Sequence, residues 1–265
     1  MSWLFSKKAR TEPKLADLAP DGYYDLHSHA LYGVDDGAAD PDESNAILDG
    51  LAEMGYRGVA FTRHHNHPMF ENAEDDDVAA RTDELGRQRE GRQPKVITGA
   101  EVMIDERFVD DLEAERLPWI GAPGIHLIEF AYGQGTVPNG FEELVFRQQV
   151  KRRTLIVAHA ERYPDFQRDR TRLEAVARAG ALVQINLMSL AGRYGRKTAR
   201  TGWQLIEAGL ADLVSTDLHH AADLAVVRTG LEELARADKG ELVRLASTNP
   251  KHLFEGRPLE VSRRD

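Results

Sequence analysis

Residues 24–37 read YDLHSHALYGVDDG, from Tyr24 to Gly37. His27 and His29 stand at i and i+2, at the end of an apolar run. In a strand those positions face the same way, so the two imidazoles share one side. Two aspartates follow, Asp35 and Asp36, bracketed by Gly33 and Gly37. The glycines let the loop turn back over the strand end. The stretch reads as a strand carrying two nitrogen donors to its C-terminal tip and a loop returning carboxylates to the same place.

The pattern around it repeats in kind. Candidate strands are GYYDLHSH (22–29), RGVAFTRHH (57–65), KVITGAEV (95–102), IHLIEFA (125–131), TLIVAHAE (154–161), ALVQINLMS (181–189) and ADLVSTDLH (211–219). Helical patterns lie between them. DPDESNAILDGLAEMG (40–55) opens on Asp40 and Pro41 and closes on Gly55, which are helix start and stop signals. DRTRLEAVARAG and TARTGWQLIEAG also end on glycine. The acidic run Glu71 to Asp77 reads as a solvated loop or a helix start. Strand–helix units in succession imply parallel strands with right-handed crossovers. A closed or nearly closed barrel is the economical arrangement, and an open doubly wound sheet is the alternative. No glycine-rich dinucleotide fingerprint follows the first strand, which counts against a Rossmann nucleotide site.

The strand ends carry the chemistry. In order they offer His27 and His29, His64 and His65, Glu101, Glu129, His159, and finally Asp217 and His219; only the sixth offers neither histidine nor carboxylate. In a parallel α/β fold these ends converge on one face. One such residue alone reads as a hydrogen-bonded structural group. All of them at one rim would repel one another unless cations compensate the charge. Imidazole mixed with carboxylate, without thiolate, suits Mn²⁺, Fe²⁺ or Zn²⁺. About nine ligands exceed the four to six positions of a single ion, so two or three ions are expected. The chemistry suggested is metal-assisted hydrolysis. Arg162, three residues past His159, reads either as a phosphate clamp or as a salt-bridge partner of Glu161 or Asp165.

Composition sets limits. The chain has 265 residues, no cysteine and a formal net charge of −10. Disulfides and cysteine-based phosphatase catalysis are excluded. The acidic balance argues against a broad nucleic-acid surface. No stretch approaches the ~18 apolar residues of a membrane span. Trp3 to Phe5 is too brief for a signal peptide, and its basic residues follow instead of preceding. Residues 1–20 are expected to form an arm, residues 21–265 the working domain, and the cytoplasm to be the setting.

Taken together, DLHSHALYGVDDG, FTRHH, TGAEV, LIEFAY, IVAHAERY, LVQINLMSLAGRYG and STDLHH resemble the PHP (polymerase and histidinol phosphatase) superfamily. The nearer resemblance is to its bacterial protein-tyrosine phosphatases, the CpsB/YwqE group. HAERY combined with GVDDG is the more specific part; DxHxH is shared with many metallohydrolases. The resemblance implies a distorted seven-stranded (β/α) barrel with a trinuclear site. Its implied ligands are His27, His29, Asp36, His64, Glu101, Glu129, His159, Asp217 and His219, with Asp36 preferred to Asp35 as the aspartate before the glycine. It implies that Arg162 binds the phosphoryl group and that phosphotyrosine is hydrolysed, commonly with Mn²⁺. The implied partner is the tyrosine-rich tail of a bacterial tyrosine kinase acting in capsule or exopolysaccharide synthesis and export; oligomers are left open.

Two departures stand out. Arg63 occupies the place of a family proline, and Leu224 that of a second phosphate-binding arginine, with Arg228 four residues on. Arg63 is therefore a candidate replacement anchor for substrate. The rival expectations are a small-molecule phosphoesterase, such as a histidinol-phosphate phosphatase, and a weakly catalytic regulator that binds the kinase.

Overall fold

The computed structural model describes residues 14–131, 133, 136–257 and 259. Residues 1–13 of the expected arm fall outside the described residues. From that arm, Leu15–Leu18 forms a single helical turn with Leu15 buried, and the Tyr23 hydroxyl donates to the Leu15 carbonyl at 2.7 Å.

Seven parallel strands follow one another in sequence order. They are β1 (Tyr23–Ser28), β2 (Tyr56–His65), β3 (Lys95–Met103), β4 (Ile125–Glu129), β5 (Thr154–Val157), β6 (Leu182–Asn186) and β7 (Leu213–Ser215). The last strand returns to the first: Ser28 bridges to Leu218, the His29 amide donates to Leu218 O (3.0 Å) and the Asp217 amide to His27 O (2.8 Å). The result is a nearly closed barrel, not an open sheet. Helices alternate with the strands as the start and stop signals require. Helix Pro41–Met54 is capped by Asp40, which accepts the Glu43 amide at 2.9 Å, and ends on the left-handed Gly55. The acidic run ends inside the first turn of helix Asp75–Gln88, where negative charge faces the positive end of the helix dipole.

Strands β5 and β7 are shorter than their apolar patterns suggest, and β6 stops at Asn186. The reason is local. His159 (φ 31°) and Asp217 (φ 51°) adopt left-handed backbone, which ends an extended run. Asn186 accepts the Met188 amide and so caps the helical turn Leu187–Leu190.

Alternation layers the barrel interior. Leu26, Ala60, Ile125, Leu127, Ile156, Ala158, Leu182 and Leu213 form an apolar plug, with Ile120 and Leu253 closing it from outside the strands. One step further along the same faces come Glu101 after Gly99, Glu129 after Leu127, and Gln184 and Asn186 after Leu182. Leu26 and His27 are adjacent yet both serve this interior. A register shift between Asp25 and Ser28 lets consecutive residues do so. A larger apolar cluster packs the outer sheet face against the helices.

Asp25 is the polar clasp of the closure. It is fully buried and accepts Thr216 Oγ1 (2.5 Å), the Thr216 amide (3.1 Å) and the His27 amide (3.2 Å). Burial pushes its carboxyl up to about 6 against the pull of these donors. Thr216→Val removes one donor and leaves a buried carboxylate oxygen unsatisfied, which is expected to destabilise the fold by about 1–3 kcal/mol. Urea unfolding should show a lower midpoint with unchanged slope; an unmoved midpoint would mean that the clasp contributes nothing.

Candidate metal centre

The barrel gathers all nine of the residues expected as ligands. His29, Asp36, His64 and His219 form one set; His27, His29 and Asp217 another; His27, Glu101 and His159 a third; His64, Glu101 and Glu129 a fourth. Within each set one donor atom from every residue lies within 4.8 Å of the others. His27, His29, His64 and Glu101 each belong to two sets, which is the pattern of adjoining positions sharing ligands. Register explains part of this: His64 pairs with Glu101 across β2 and β3. His65, next in the chain, joins none of these sets.

Hydrogen bonds fix which ring nitrogens face inward. Gln184 Oε1 accepts the His159 amide at 2.7 Å and lies 3.2 Å from His27 Nδ1. A backbone N–H only donates, so the glutamine presents oxygen there, and His27 Nδ1 must carry a proton. His29 Nδ1 donates likewise to Asp35 Oδ2 at 2.8 Å. Each neutral ring then aims an Nε2 lone pair inward, and the two Nε2 atoms are 3.3 Å apart. Two lone pairs at that distance need a proton or a metal cation between or beside them. His64 Nδ1 and Glu129 Oε1, both buried, also lack a hydrogen-bond partner, though they lie 3.3 Å apart. Nitrogen and oxygen donors with unspent lone pairs, buried and convergent, fit divalent ions.

The electrostatics agree. Burial disfavours charge on His27, but Glu101 and Asp217 outweigh it and push the ring up to about 9. His29 rises well above the usual imidazole value, with Asp35 and Glu101 overcoming burial. Burial opposes ionisation of Glu101, yet His27 and His159 hold it well below the carboxylate range. Glu129 goes the other way, raised by burial and by the Glu101 carboxylate. These carboxylates demand positive charge at the centre of the mouth.

Several supporting residues give no signal in the strand-end pattern. Asp35 accepts His29 Nδ1, the His64 amide (3.0 Å) and the Gly37 amide (3.0 Å), so it orients His29 and holds the end of β2 at His64 while Asp36 faces the cluster. Gly37 is required here: a Cβ would stand 1.9 Å from the His29 carbonyl oxygen. The sixth strand contributes through amides. Besides Gln184, Asn186 Nδ2 donates to Asp217 Oδ2 at 2.8 Å. His159 and Asp217, both in left-handed backbone, are held there by the surrounding fold, as strained residues at functional sites are.

Arg162 lies beside this centre. Its Nη1 donates to Asp217 Oδ2 at 3.1 Å, and its guanidinium sits 4.3 Å over the Tyr194 ring. Burial and the Asp217 carboxylate push the Tyr194 phenol up to about 12. Glu161 points elsewhere, accepting Ser189 Oγ and the Asn186 amide. Arg162, Tyr194, His67, Met69 and Phe70 join seven of the clustered residues around a mouth cavity of about 310 Å³.

The expected substrate role of Arg63 is corrected. Strand alternation turns Arg63 away from the side taken by His64. It is buried, donates to the Gly99 and Ala73 carbonyls, and pairs with Asp75. Leu224 packs against Gly50, and Arg228 lines a separate cavity with Lys14 and Glu53.

A nearly closed seven-stranded barrel with a histidine–carboxylate cluster at its C-terminal mouth is the architecture of a metallohydrolase. The chain belongs to the family described as "Capsular polysaccharide synthesis, CpsB/CapC", whose model matches residues 23–255. It is 30% identical over 198 residues to the tyrosine-protein phosphatase YwqE of Bacillus subtilis (strain 168), covering 74% of this chain and 77% of that protein. It is 26% identical over 209 residues to the tyrosine-protein phosphatase CpsB of Streptococcus pneumoniae, covering 74% and 82%. The crystal structures of YwqE and CpsB, described as unique metal-dependent tyrosine phosphatases, include a chain that superposes with a TM-score of 0.79 at 27% identity. The match covers 89% of this chain and 96% of that one.

Gln184→Leu removes the oxygen that orients His27 and holds the His159 amide. It is expected to weaken metal binding about 10–100-fold. Competitive chelator titration would measure this, and an unchanged affinity would remove Gln184 from the site.

Proposed function

We propose that this protein is a metal-dependent protein-tyrosine phosphatase. The supporting observation is the convergence of His27 and His29 Nε2 on Glu101 and Asp217, with Arg162 beside them at the same mouth. In this reading His27, His29, Asp36, His64, Glu101, Glu129, His159, Asp217 and His219 hold two or three divalent ions. Mn²⁺ is favoured, with Fe²⁺ or Zn²⁺ also suited to the donors. When bound, such ions supply Lewis-acid charge and a nucleophile from water near neutral pH.

The chain's own groups do the rest. Asp217 and Tyr194 hold the Arg162 guanidinium in one orientation, so that its fork meets phosphoryl oxygens without further ordering. Gln184 and Asp35 keep the two inner imidazoles in the ligating tautomer. The leaving phenol has a pKa of about 10, so departure does not require a strong proton donor. Charge stabilisation then provides most of the acceleration.

The substrate we favour is the phosphotyrosine-bearing tail of a bacterial tyrosine kinase in capsule or exopolysaccharide synthesis, met in the cytoplasm. The family description and the names of the relatives support it. Among the described residues no helix is long and apolar enough to cross a membrane. One observation favours the second reading, a kinase-binding regulator of low activity: Leu224 packs on Gly50 where a cationic anchor is expected. Tight kinase binding without dephosphorylation at full metal loading would select it. Side-by-side turnover of a phosphotyrosyl peptide and histidinol phosphate tests the small-molecule alternative.

Chelation should abolish hydrolysis of a phosphotyrosyl peptide, and added Mn²⁺ should restore it; turnover that survives complete metal removal would contradict the proposal. Arg162→Ala is expected to lower kcat/KM about 10²–10³-fold with metal content intact. Loss of bound metal in that variant would contradict a role on the substrate.

A further inference from the structure

The loop after β2 is built in an unusual way for a solvent-facing turn. Asn66 adopts left-handed backbone (φ 61°) and is clipped to Asn72 twice: the Asn66 amide donates to Asn72 Oδ1 (2.7 Å), and Asn72 Nδ2 donates to Asn66 Oδ1 (3.0 Å). Within the clip, the Phe70 amide donates to the His67 carbonyl (3.2 Å) and the Met69 amide to His67 Nδ1 (3.2 Å). The Phe70 ring lies nearly parallel to His64, 5.1 Å away at 7°, and His67 packs on Phe70 at 4.9 Å. A loop with this many internal ties presents its side chains in a defined order.

What it presents is apolar. Met69 is 79% exposed, the most exposed large hydrophobic side chain among the described residues, yet it lines the mouth cavity together with Phe70. Tyr194 lines the same cavity from the segment after β6. In a barrel ordered β1 to β7, the β2 and β6 ends lie across the mouth from each other. The cavity therefore has a polar floor of ligating groups and Arg162, and apolar walls from two sides. Folding gains nothing from leaving Met69 in water, and a thioether beside aromatic rings is an adaptable surface for another ring.

We infer that Met69, Phe70 and Tyr194 form a slot for the aryl ring of a phosphate monoester, and that this slot sets a preference for aryl over alkyl phosphates. The inference rests on the phosphatase reading and deepens it by assigning ring recognition to residues that carry no charge. Met69 is the residue to test, because it touches the proposed ring and is not needed to hold the site together. Phe70 and Tyr194 also support His64 and Arg162.

Binding reads the slot without requiring catalysis. Calorimetry on the Mn²⁺-loaded full chain compares phenylphosphonate with methylphosphonate, which share the anionic head and differ in the ring. Phenylphosphonate is expected to bind the unaltered protein tighter by on the order of tenfold or more. Met69→Ala should erase most of that advantage while methylphosphonate affinity and metal content stay the same. Phe70→Leu, checked for metal content, should act in the same direction. Equal affinities in the unaltered protein, or an advantage that survives both substitutions, would overturn the slot. Failure of the phosphatase reading would look different: a persistent ring preference in a Mn²⁺-loaded protein that turns over no phosphotyrosyl peptide.

Discussion

The site depends on two imidazole lone pairs that the fold forces toward each other. Gln184 and Asp35 take the outer nitrogens of His27 and His29, so the inner nitrogens meet at 3.3 Å, with Glu101 and Asp217 carboxylate oxygens 3.3–3.6 Å from them. Such a contact is repulsive between neutral rings. It becomes favourable when positive charge enters, and divalent ions supply that charge while leaving the rings neutral. The opposed behaviour of the two glutamates fits the same picture. Glu101, surrounded by imidazoles, stays ionised, whereas Glu129 is pushed toward its neutral form by burial and by Glu101.

The barrel makes this arrangement possible through parity and closure. Strand alternation, interrupted in β1 by its register shift, puts an apolar layer low in the barrel and a donor layer at the rim. The apolar layer excludes water from beneath the cluster and fixes the height of the donors. Closure through Asp25 and Thr216 then brings β7 to β1, which places Asp217 and His219 against His27 and His29. A site that draws on both ends of the chain needs that closure as much as it needs the ligands.

Much of this was legible in the residues. Two histidines at i and i+2, followed by paired aspartates and a glycine, point to a strand end that serves a metal, and the succession of strand–helix units points to parallel pairing. Periodicity left barrel and open sheet undecided, because closure rests on a bridge and a few hydrogen bonds that no local pattern encodes. The rim was harder. His159 and Asp217 look like strand residues but occupy left-handed turns, where tertiary contacts override the extended preference of their neighbours. Gln184 and Asn186 fall outside a search for imidazoles and carboxylates; they act by orienting His27, His159 and Asp217. Arg63 misled because its charge and position suggested a phosphate anchor, whereas alternation alone turns it to the opposite face, onto Asp75 and two carbonyls.

The central claim is that cations occupy the space between these donors. Crystals grown with Mn²⁺ and without chelator, measured on both sides of the manganese absorption edge, test it most directly. The account predicts two or three anomalous peaks among His27, His29, Asp36, His64, Glu101, Glu129, His159, Asp217 and His219. A mouth free of anomalous signal, with the His27–Gln184 and His29–Asp35 bonds intact, would contradict it.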